Sequence, residues 1–346
     1  MIFGLSEPLA VALVGLVGGI GLGLAARLGR FCTLGAIEDV LYGGSGERLR
    51  MWGVAIAVGI IATHALMAAG LVVPADTVYL SFTVTPLAAV LGGLVFGYGM
   101  ALAGNCGFGA LARLGGGDLR SFVIVLVMGV ASFVTISGPL ARLRVTLFPN
   151  LPAADLPSIP AAVSQLTGLN MAMVGLGIGV VALAALVLRG ARAKTLAWGA
   201  LVGLSVASGW AGTQYVAANG FETLPVVSHT FSRPLGEAMI WLMTSSARPL
   251  SFGVGSVAGV LAGAFIGSLW LGHFRWEACE DPRELRRQIT GAALMGVGAV
   301  VAFGCTVGQG ISAFSLLAFS APLVFVSIFA GAALGLRQLI GGLALR

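Results

Sequence analysis

The chain has 346 residues, of which 58% are hydrophobic and only 9% are charged. A water-soluble protein of this size could not keep so much apolar surface inside, because much of its exterior must face water. The net charge of +6 does not indicate nucleic-acid binding, since the basic residues stand between apolar runs and mark membrane loops. The composition therefore excludes a soluble globular protein and predicts an integral membrane protein.

Apolar runs of the length that crosses a bilayer recur along the whole chain. We predict an all-α fold with about nine transmembrane helices, at 9–28, 51–70, 86–104, 120–140, 169–188, 195–211, 250–272, 288–304 and 320–340. The first run follows Glu7 and no Lys or Arg, so it is not a signal peptide. We expect one transmembrane domain, 1–346, in which a Pro-rich linker at 149–168 joins a first half, 1–148, to a second half, 169–346.

The distribution of Lys and Arg predicts the orientation in a bacterial inner (plasma) membrane. With the N-terminus outside, fifteen of the 19 basic residues fall on the cytoplasmic side, and Arg142, Arg144, Arg233 and Arg248 fall outside. Cytoplasmic loops are the ones enriched in Lys and Arg. We therefore expect the N-terminus outside and the C-terminus in the cytoplasm, which agrees with an odd number of crossings.

Two sequence elements recur in the same order in the two halves. The aligned segments are 97–109 with 296–308 (a shift of 199, Cys106 on Cys305) and 23–33 with 203–213 (a shift of 180, Cys32 on Gly212 and Thr33 on Thr213). Five predicted crossings separate equivalent positions, so the second half must run upside down relative to the first. This pattern predicts two inverted repeats, with a solute pathway at the bilayer midplane between them.

Short segments that are too apolar for loops and too short to cross follow Cys32, Cys106, Gly212 and Cys305. We predict that each is a short intramembrane (re-entrant) helix that begins at a Gly-flanked break. Helix N-termini carry free N–H groups and partial positive charge, so four of them near one axis would bind an anion. For any single glycine, close helix packing is an open alternative.

Three of these segments carry a family resemblance. GRFCTLGAIEDV (29–40), GNCGFGALARLGGGDLRSF (104–122) and FGCTVGQGISAFSLLAFSAPL (303–323) resemble the signature segments of the YeeE/YedE sulfur-transport family, in particular its full-length thiosulfate-uptake members. The resemblance covers essentially the whole chain. It implies nine transmembrane helices with short intramembrane helices in two inverted halves. It also implies thiosulfate import for cysteine synthesis, usually beside a small cytoplasmic sulfur-carrier protein of the CPxx type.

Thiosulfate is a dianion with a soft terminal sulfur. A neutral thiol can donate a weak S–H hydrogen bond to it, whereas a thiolate would repel it. We expect an apolar channel to keep the thiols neutral. The expected pathway residues are Cys32, Cys106 and Cys305, with Thr33, Gly104, Asn105, Gly107, Gly212, Thr213, Gly304, Thr306 and Gln309 beside the breaks. The polar residues among them would donate to the solute oxygens or cap the short helices.

Other functions stay open at this point. The solute could be another small sulfur or selenium species. Alternatively, the protein could be a membrane sulfurtransferase, in which a cysteine attacks the sulfane sulfur and holds a persulfide. We expect no enzyme activity, no cofactor and no metal site. The cysteines and histidines lack metal-ligand spacing, and without a nucleotide-binding loop in the sequence we do not expect transport driven by ATP. Cys279 stands in a charged loop, where it is either incidental or part of a docking site for the carrier protein.

Overall fold

The computed structural model describes residues 4–149, 151–152, 158–278 and 281–344. Nearly all of this part is helical. Its helices of 18 or more residues are α1 Glu7–Leu28, α3 Glu47–Ala68, α4 Pro86–Ala103, α6 Leu119–Ile136, α9 Met171–Leu188, α10 Ala193–Asn219, α12 Phe252–Trp270, α13 Pro282–Val301 and α14 Ser320–Ala344. Seven stretches of the described residues are long and apolar enough to cross a membrane. The prediction of an all-α membrane protein is confirmed.

Each of the nine predicted spans overlaps one of these long helices. α10 and α13 are long enough to cross but are not among the seven most apolar stretches. The first turns of α13 carry several charged residues, which lower its hydropathy: Arg283, Glu284, Arg286 and Arg287. Both helices lie inside the bundle, because α10 packs on α1 and α3 and α13 packs on α4 and α6.

Shorter elements connect the long helices. They are α2 Thr33–Leu41, a 3₁₀ turn Pro74–Asp76, α5 Gly107–Gly115, α7 Ala141–Leu147, α8 Ile159–Thr167, α11 Arg233–Thr244, a π-helical turn Gly308–Ala313 and two antiparallel strands, β1 Phe82–Thr83 and β2 Leu151–Pro152. Three short helices therefore begin directly after Cys32, Cys106 and Cys305, where the sequence predicts them. The predicted linker at 149–168 contains β2 and α8, while residues 150 and 153–157 lie outside the described part.

The predicted break at Gly212 is wrong. α10 continues without interruption through this residue to Asn219, and the chain leaves the helix only there. A Cβ added at Gly212 would overlap the side chain of Val14, so this glycine allows α1 to pack closely on α10. The Thr213 hydroxyl donates to the carbonyl oxygen of Val227 at 2.8 Å and holds the following loop instead of lining a break. The alignment at a shift of 180 matched glycines that serve helix packing.

Helix packing is paired between the two halves. α1 packs on α12 and α10 packs on α3; likewise α4 packs on α14 and α13 packs on α6. The contact of α1 with α12 thus corresponds to the contact of α10 with α3, with the two halves exchanged. The contact of α4 with α14 corresponds in the same way to the contact of α13 with α6. The pairing matches α1–α2–α3 with α10–α11–α12, and α4–α5–α6 with α13, the π-helical turn and α14. α9 has no counterpart in this scheme.

Glycines set the distance between several of the paired helices. A Cβ added at Gly97 of α4 would overlap the carbonyl oxygen of Ile328 in α14, so the two backbones touch at this point. In contrast, a Cβ added at Gly177 of α9 would meet nothing within 4 Å. Close packing of small residues stabilises helix contacts in membranes, where burial of apolar surface contributes little between helices.

We expect Gly97→Ala to destabilise the folded protein, because the added methyl group must push α4 and α14 apart. Overpacking of this kind costs about 1–3 kcal/mol or more. The measurement is the thermal unfolding midpoint of the detergent-solubilised protein. Gly177→Ala is the matched control and should leave the midpoint unchanged or raise it. Equal midpoints for both variants would contradict the packing role of Gly97.

Candidate functional site

Cys32, Cys106 and Cys305 each stand immediately before a short helix. Each sulfur accepts a hydrogen bond from the backbone N–H three residues further on, which is the capping role that side-chain oxygens usually fill. The nitrogen–sulfur distances are 3.5 Å from Gly35 to Cys32, 3.4 Å from Gly109 to Cys106 and 3.5 Å from Gly308 to Cys305. The cap uses a sulfur lone pair, so each S–H can donate in another direction.

A residue in the left-handed region precedes each of these cysteines by two positions. The backbone φ angles are +56° at Arg30, +78° at Gly104 and +57° at Phe303. A non-glycine residue in this region costs about 1–2 kcal/mol. Two of the three breaks are therefore strained, which is typical of sites that the surrounding structure holds for a function.

Cys106 lies at the centre of the three breaks and is fully buried. The Thr33 hydroxyl lies 3.9 Å from its sulfur. The Thr306 hydroxyl lies beside the same thiol and is itself buried. The Oδ1 atom of Asn105 is buried without a hydrogen-bond partner among the described residues. Two threonines, each the residue after an outer cysteine, thus meet at the central thiol.

One cavity, which we call the Cys32 vestibule, ends at Cys32 and has a volume of about 460 Å³. Its wall includes Gly104 and Gly109 and five basic residues but only one acidic residue, Glu38. The basic residues are Arg27, Arg30, Arg48, Arg113 and Lys194. The cavity therefore presents strong positive charge next to a thiol.

A second cavity, which we call the Cys305 vestibule, has a volume of about 280 Å³ and is lined by Tyr79, Thr230, Ser232 and Gly304, with Arg144 and Arg233. The Thr230 hydroxyl is 3.5 Å from the Cys305 sulfur. The two vestibules open at opposite ends of the bundle. The 27-residue helix α10 connects them. Lys194 in its first turn lines the Cys32 vestibule, and the loop that follows its last residue lines the Cys305 vestibule.

Aromatic side chains fill the space between the vestibules. Phe108 contacts Phe31 at a ring-centroid distance of 6.4 Å and Phe231 at 5.2 Å. Phe31 borders the Cys32 vestibule, whereas Phe231 follows Thr230, and its backbone N–H donates to the Cys305 sulfur at 3.2 Å. All three rings are fully buried or nearly so. The path between the thiols is therefore closed in this conformation.

Other residues predicted for the site support the breaks. The Gln309 amide donates to the carbonyl oxygens of Ala302 and Phe303, at 3.2 and 3.1 Å, where α13 ends inside the protein. Gly107 is the first residue of α5, and a Cβ there would press on the Met128 sulfur. Cys279 lies outside the described residues.

The sequence analysis missed one break. In the paired packing scheme, α11 is the counterpart of α2, so the counterpart of Cys32 is Ser232, which stands immediately before α11. At a shift of 200, Phe31 aligns with Phe231 and Cys32 aligns with Ser232. This shift differs by one residue from the shift of 199 that aligns the two cysteine segments. This short match was the available signal. The fourth break thus carries a hydroxyl in place of a thiol, and it lines the Cys305 vestibule.

Comparison with known proteins shows the family of the chain. The model of the sulphur transport family matches residues 28–334. The chain belongs to the sulphur transport family. Two relatives found by sequence comparison are both named thiosulfate transporter TsuA. The protein of Escherichia coli is 25% identical over 320 residues, 87% of each chain. The protein of Spirochaeta thermophila is 26% identical over 333 residues, 92% of this chain and 96% of the relative.

For this member of the sulphur transport family, we expect Gln309→Met to lower the thermal unfolding midpoint. The change keeps the side-chain length but leaves two carbonyl oxygens at the end of α13 unpaired, and each unpaired buried group costs about 1–3 kcal/mol. The control is Gln338→Met, because the Gln338 amide is exposed and accepts from the Tyr98 hydroxyl. A midpoint no lower than that of the control would show that Gln309 does not support the break.

Proposed function

We propose that this protein takes up thiosulfate across the bacterial inner membrane. Membership of the sulphur transport family and the names of its relatives support this assignment. The observation that carries it is the alignment of three capping thiols, one beside each vestibule and one buried between them. A soft, weakly donating group suits the terminal sulfur of thiosulfate better than it suits an all-oxygen anion.

In the proposed route, thiosulfate enters the Cys305 vestibule, passes Cys305, Cys106 and Cys32, and leaves through the Cys32 vestibule. Neutral thiols donate weak S–H hydrogen bonds at each step, so no step holds the anion too tightly to leave. The short helices add partial positive charge at their N-termini, beside each thiol. Phe31, Phe108 and Phe231 must move aside, since their rings close the path in this conformation.

The hydroxyl groups around Cys106 have a role in this route. The buried Thr306 hydroxyl lies beside the central thiol, and the Thr33 hydroxyl lies at 3.9 Å from its sulfur. Both hydroxyls are suited to donate to the sulfonate oxygens while the thiol faces the terminal sulfur. Sulfur is a weak acceptor, so an oxyanion bound here would accept a stronger hydrogen bond from each hydroxyl.

The proposed topology has two inverted repeats, 1–148 and 169–346, joined by the linker at 149–168. The paired helix packing supports it. The N-terminus lies outside and the C-terminus in the cytoplasm, in agreement with the excess of basic residues on one side. The Cys32 vestibule then faces the cytoplasm. A separate cytoplasmic sulfur-carrier protein of the CPxx type would receive the imported sulfur.

We expect Cys106→Ala to abolish thiosulfate uptake, because it removes the donor that lies between the two outer thiols. Protein abundance should not change, since alanine fits the same space and only a weak cap is lost. The measurement is uptake of labelled thiosulfate into proteoliposomes, with Cys279→Ala as the control that retains uptake. Normal uptake by Cys106→Ala would rule out the thiol route.

The same preparation distinguishes transport from sulfur transfer. In a sulfurtransferase, the Cys106 thiolate would attack the sulfane sulfur, the sulfur–sulfur bond of thiosulfate would break, and sulfite would leave. Mass spectrometry of protein incubated with thiosulfate should therefore find no added sulfur on Cys106 if the solute passes intact. A stoichiometric persulfide would replace the proposed mechanism by the enzymatic one.

The orientation predicts a labelling pattern. In a Cys279→Ser background, a membrane-impermeant thiol reagent should modify Cys32 in inside-out vesicles and not in intact spheroplasts. Cys32 is partly exposed, whereas Cys106 and Cys305 are buried and should stay unmodified. Labelling of Cys32 from the outer side alone would reverse the proposed orientation.

A further inference from the structure

The Cys32 vestibule is more positively charged than the Cys305 vestibule. Five Lys and Arg side chains line its volume of about 460 Å³, against one carboxylate, Glu38. The Cys305 vestibule has two arginines, and one of them, Arg233, pairs with Glu237 at 2.6 Å. The positive charge is therefore concentrated at one end of the pathway.

The five cations differ in how they are held. Arg27 donates to the Ser268 hydroxyl at 2.7 Å, and Arg48 pairs with Asp39 at 3.3 Å, so both are positioned by neighbours. The remaining three are exposed in the cavity and form no ion pair with any carboxylate of the described residues within 4.0 Å: Arg30, Arg113 and Lys194. The cavity thus combines two positioned guanidinium groups with three unpaired cations.

Membrane topology alone does not explain this arrangement. An excess of Lys and Arg on one side of a membrane requires basic loops, but it does not require that their side chains line one concave space. The Arg48 guanidinium lies directly over Gly35, where any Cβ would overlap it, and Gly35 is the residue whose N–H donates to the Cys32 sulfur. Arg30 reaches the cavity from a left-handed backbone conformation, φ +56°.

We infer that the Cys32 vestibule is a binding site for a divalent tetrahedral oxyanion, distinct from the thiol stations inside the protein. Guanidinium groups match the oxygen geometry of such anions, and Arg48 would hold the anion next to the Cys32 thiol. Two sources share this chemistry: thiosulfate that has just crossed, and oxyanions such as sulfate already in the compartment that the vestibule faces. The identity of the crossing anion rests on the proposed function.

This site has a consequence for regulation. An oxyanion that occupies the vestibule from its open side covers Cys32, which is the last thiol of the proposed route. It also places negative charge where the next thiosulfate must arrive. Occupancy therefore opposes exit, and uptake slows as the concentration of oxyanion on the far side rises. The protein would limit its own uptake without a separate regulatory domain.

Protection of Cys32 tests the site directly, without transport. The probe is the rate at which the uncharged reagent N-ethylmaleimide modifies Cys32 in purified Cys279→Ser protein, with sodium sulfate or sodium thiosulfate added at constant ionic strength. We expect both anions to slow modification in a saturable manner, and sodium chloride to have little effect. Protection by thiosulfate alone would still support the site, with the crossing anion as its ligand. Protection by neither anion would overturn the inference.

Charge variants separate a built site from a general charge effect. Arg113→Gln and Arg30→Gln each remove an exposed, unpaired cation from the wall, and we expect each to raise the half-protecting concentration about fivefold, the effect of about one close charge pair in water. Arg287→Gln is the matched control, because Arg287 is exposed on α13 outside either vestibule and the change in net charge is the same. An equal shift in the control would overturn the inference.

Uptake into proteoliposomes then tests the regulatory consequence. For transporter molecules whose Cys32 vestibule faces the lumen, sulfate loaded inside should reduce the initial rate of thiosulfate uptake, and Arg113→Gln should relieve this inhibition. The two proposals fail in different ways. No uptake into empty vesicles contradicts the proposed function, while unaltered uptake into sulfate-loaded vesicles contradicts the inhibitory role and leaves the function intact.

Discussion

A helix that ends inside a bilayer leaves backbone N–H and C=O groups that water cannot reach, and each unpaired group is costly there. The protein meets this constraint at three places with cysteine sulfur on the N–H side. At the end of α13 it uses the Gln309 amide on the C=O side. The caps that make the breaks stable are therefore the same groups that line the proposed path. In the proposed route, structure and transport depend on one set of hydrogen bonds.

Sulfur is a weak acceptor, so it caps a helix less firmly than Ser or Asp would. This weakness is useful in a path. A strong oxygen cap would compete for a passing anion, and a carboxylate cap would repel it. A thiol satisfies the N–H through a lone pair and still offers a proton that a soft anion can accept. Cysteine stands at the three breaks where a side chain caps the helix, whereas Ser232 at the fourth break makes no side-chain cap.

Much of this arrangement could be predicted from the sequence. Hydropathy located the long helices because each must be apolar over the bilayer thickness, and the Gly–Cys segments located three short helices. The break at Gly212 could not be distinguished from a packing glycine, since both need a small residue, and only its contact with Val14 decides between them. Ser232 was missed because two aligned residues are too short a match to notice without the helix pairing.

The meeting of Thr33 and Thr306 at Cys106 was also beyond the sequence. Each threonine follows a different outer cysteine, and the sequence analysis placed each one only beside its own break. Only the close approach of the short helices from opposite halves brings both hydroxyls to the central thiol. Such convergence depends on three-dimensional packing, and no local pattern along the chain encodes it.

The unmatched helix α9 has a topological consequence. With α9 set aside, each half of the proposed arrangement contributes four crossings, an even number, so a second copy attached directly would enter the membrane from the same side as the first. One additional crossing reverses its entry. α9 provides this crossing with few demands on its surface, since only 17% of its apolar stretch is buried inside the protein. In the proposed arrangement, this single lipid-facing helix therefore sets the relative direction of the two halves in the membrane.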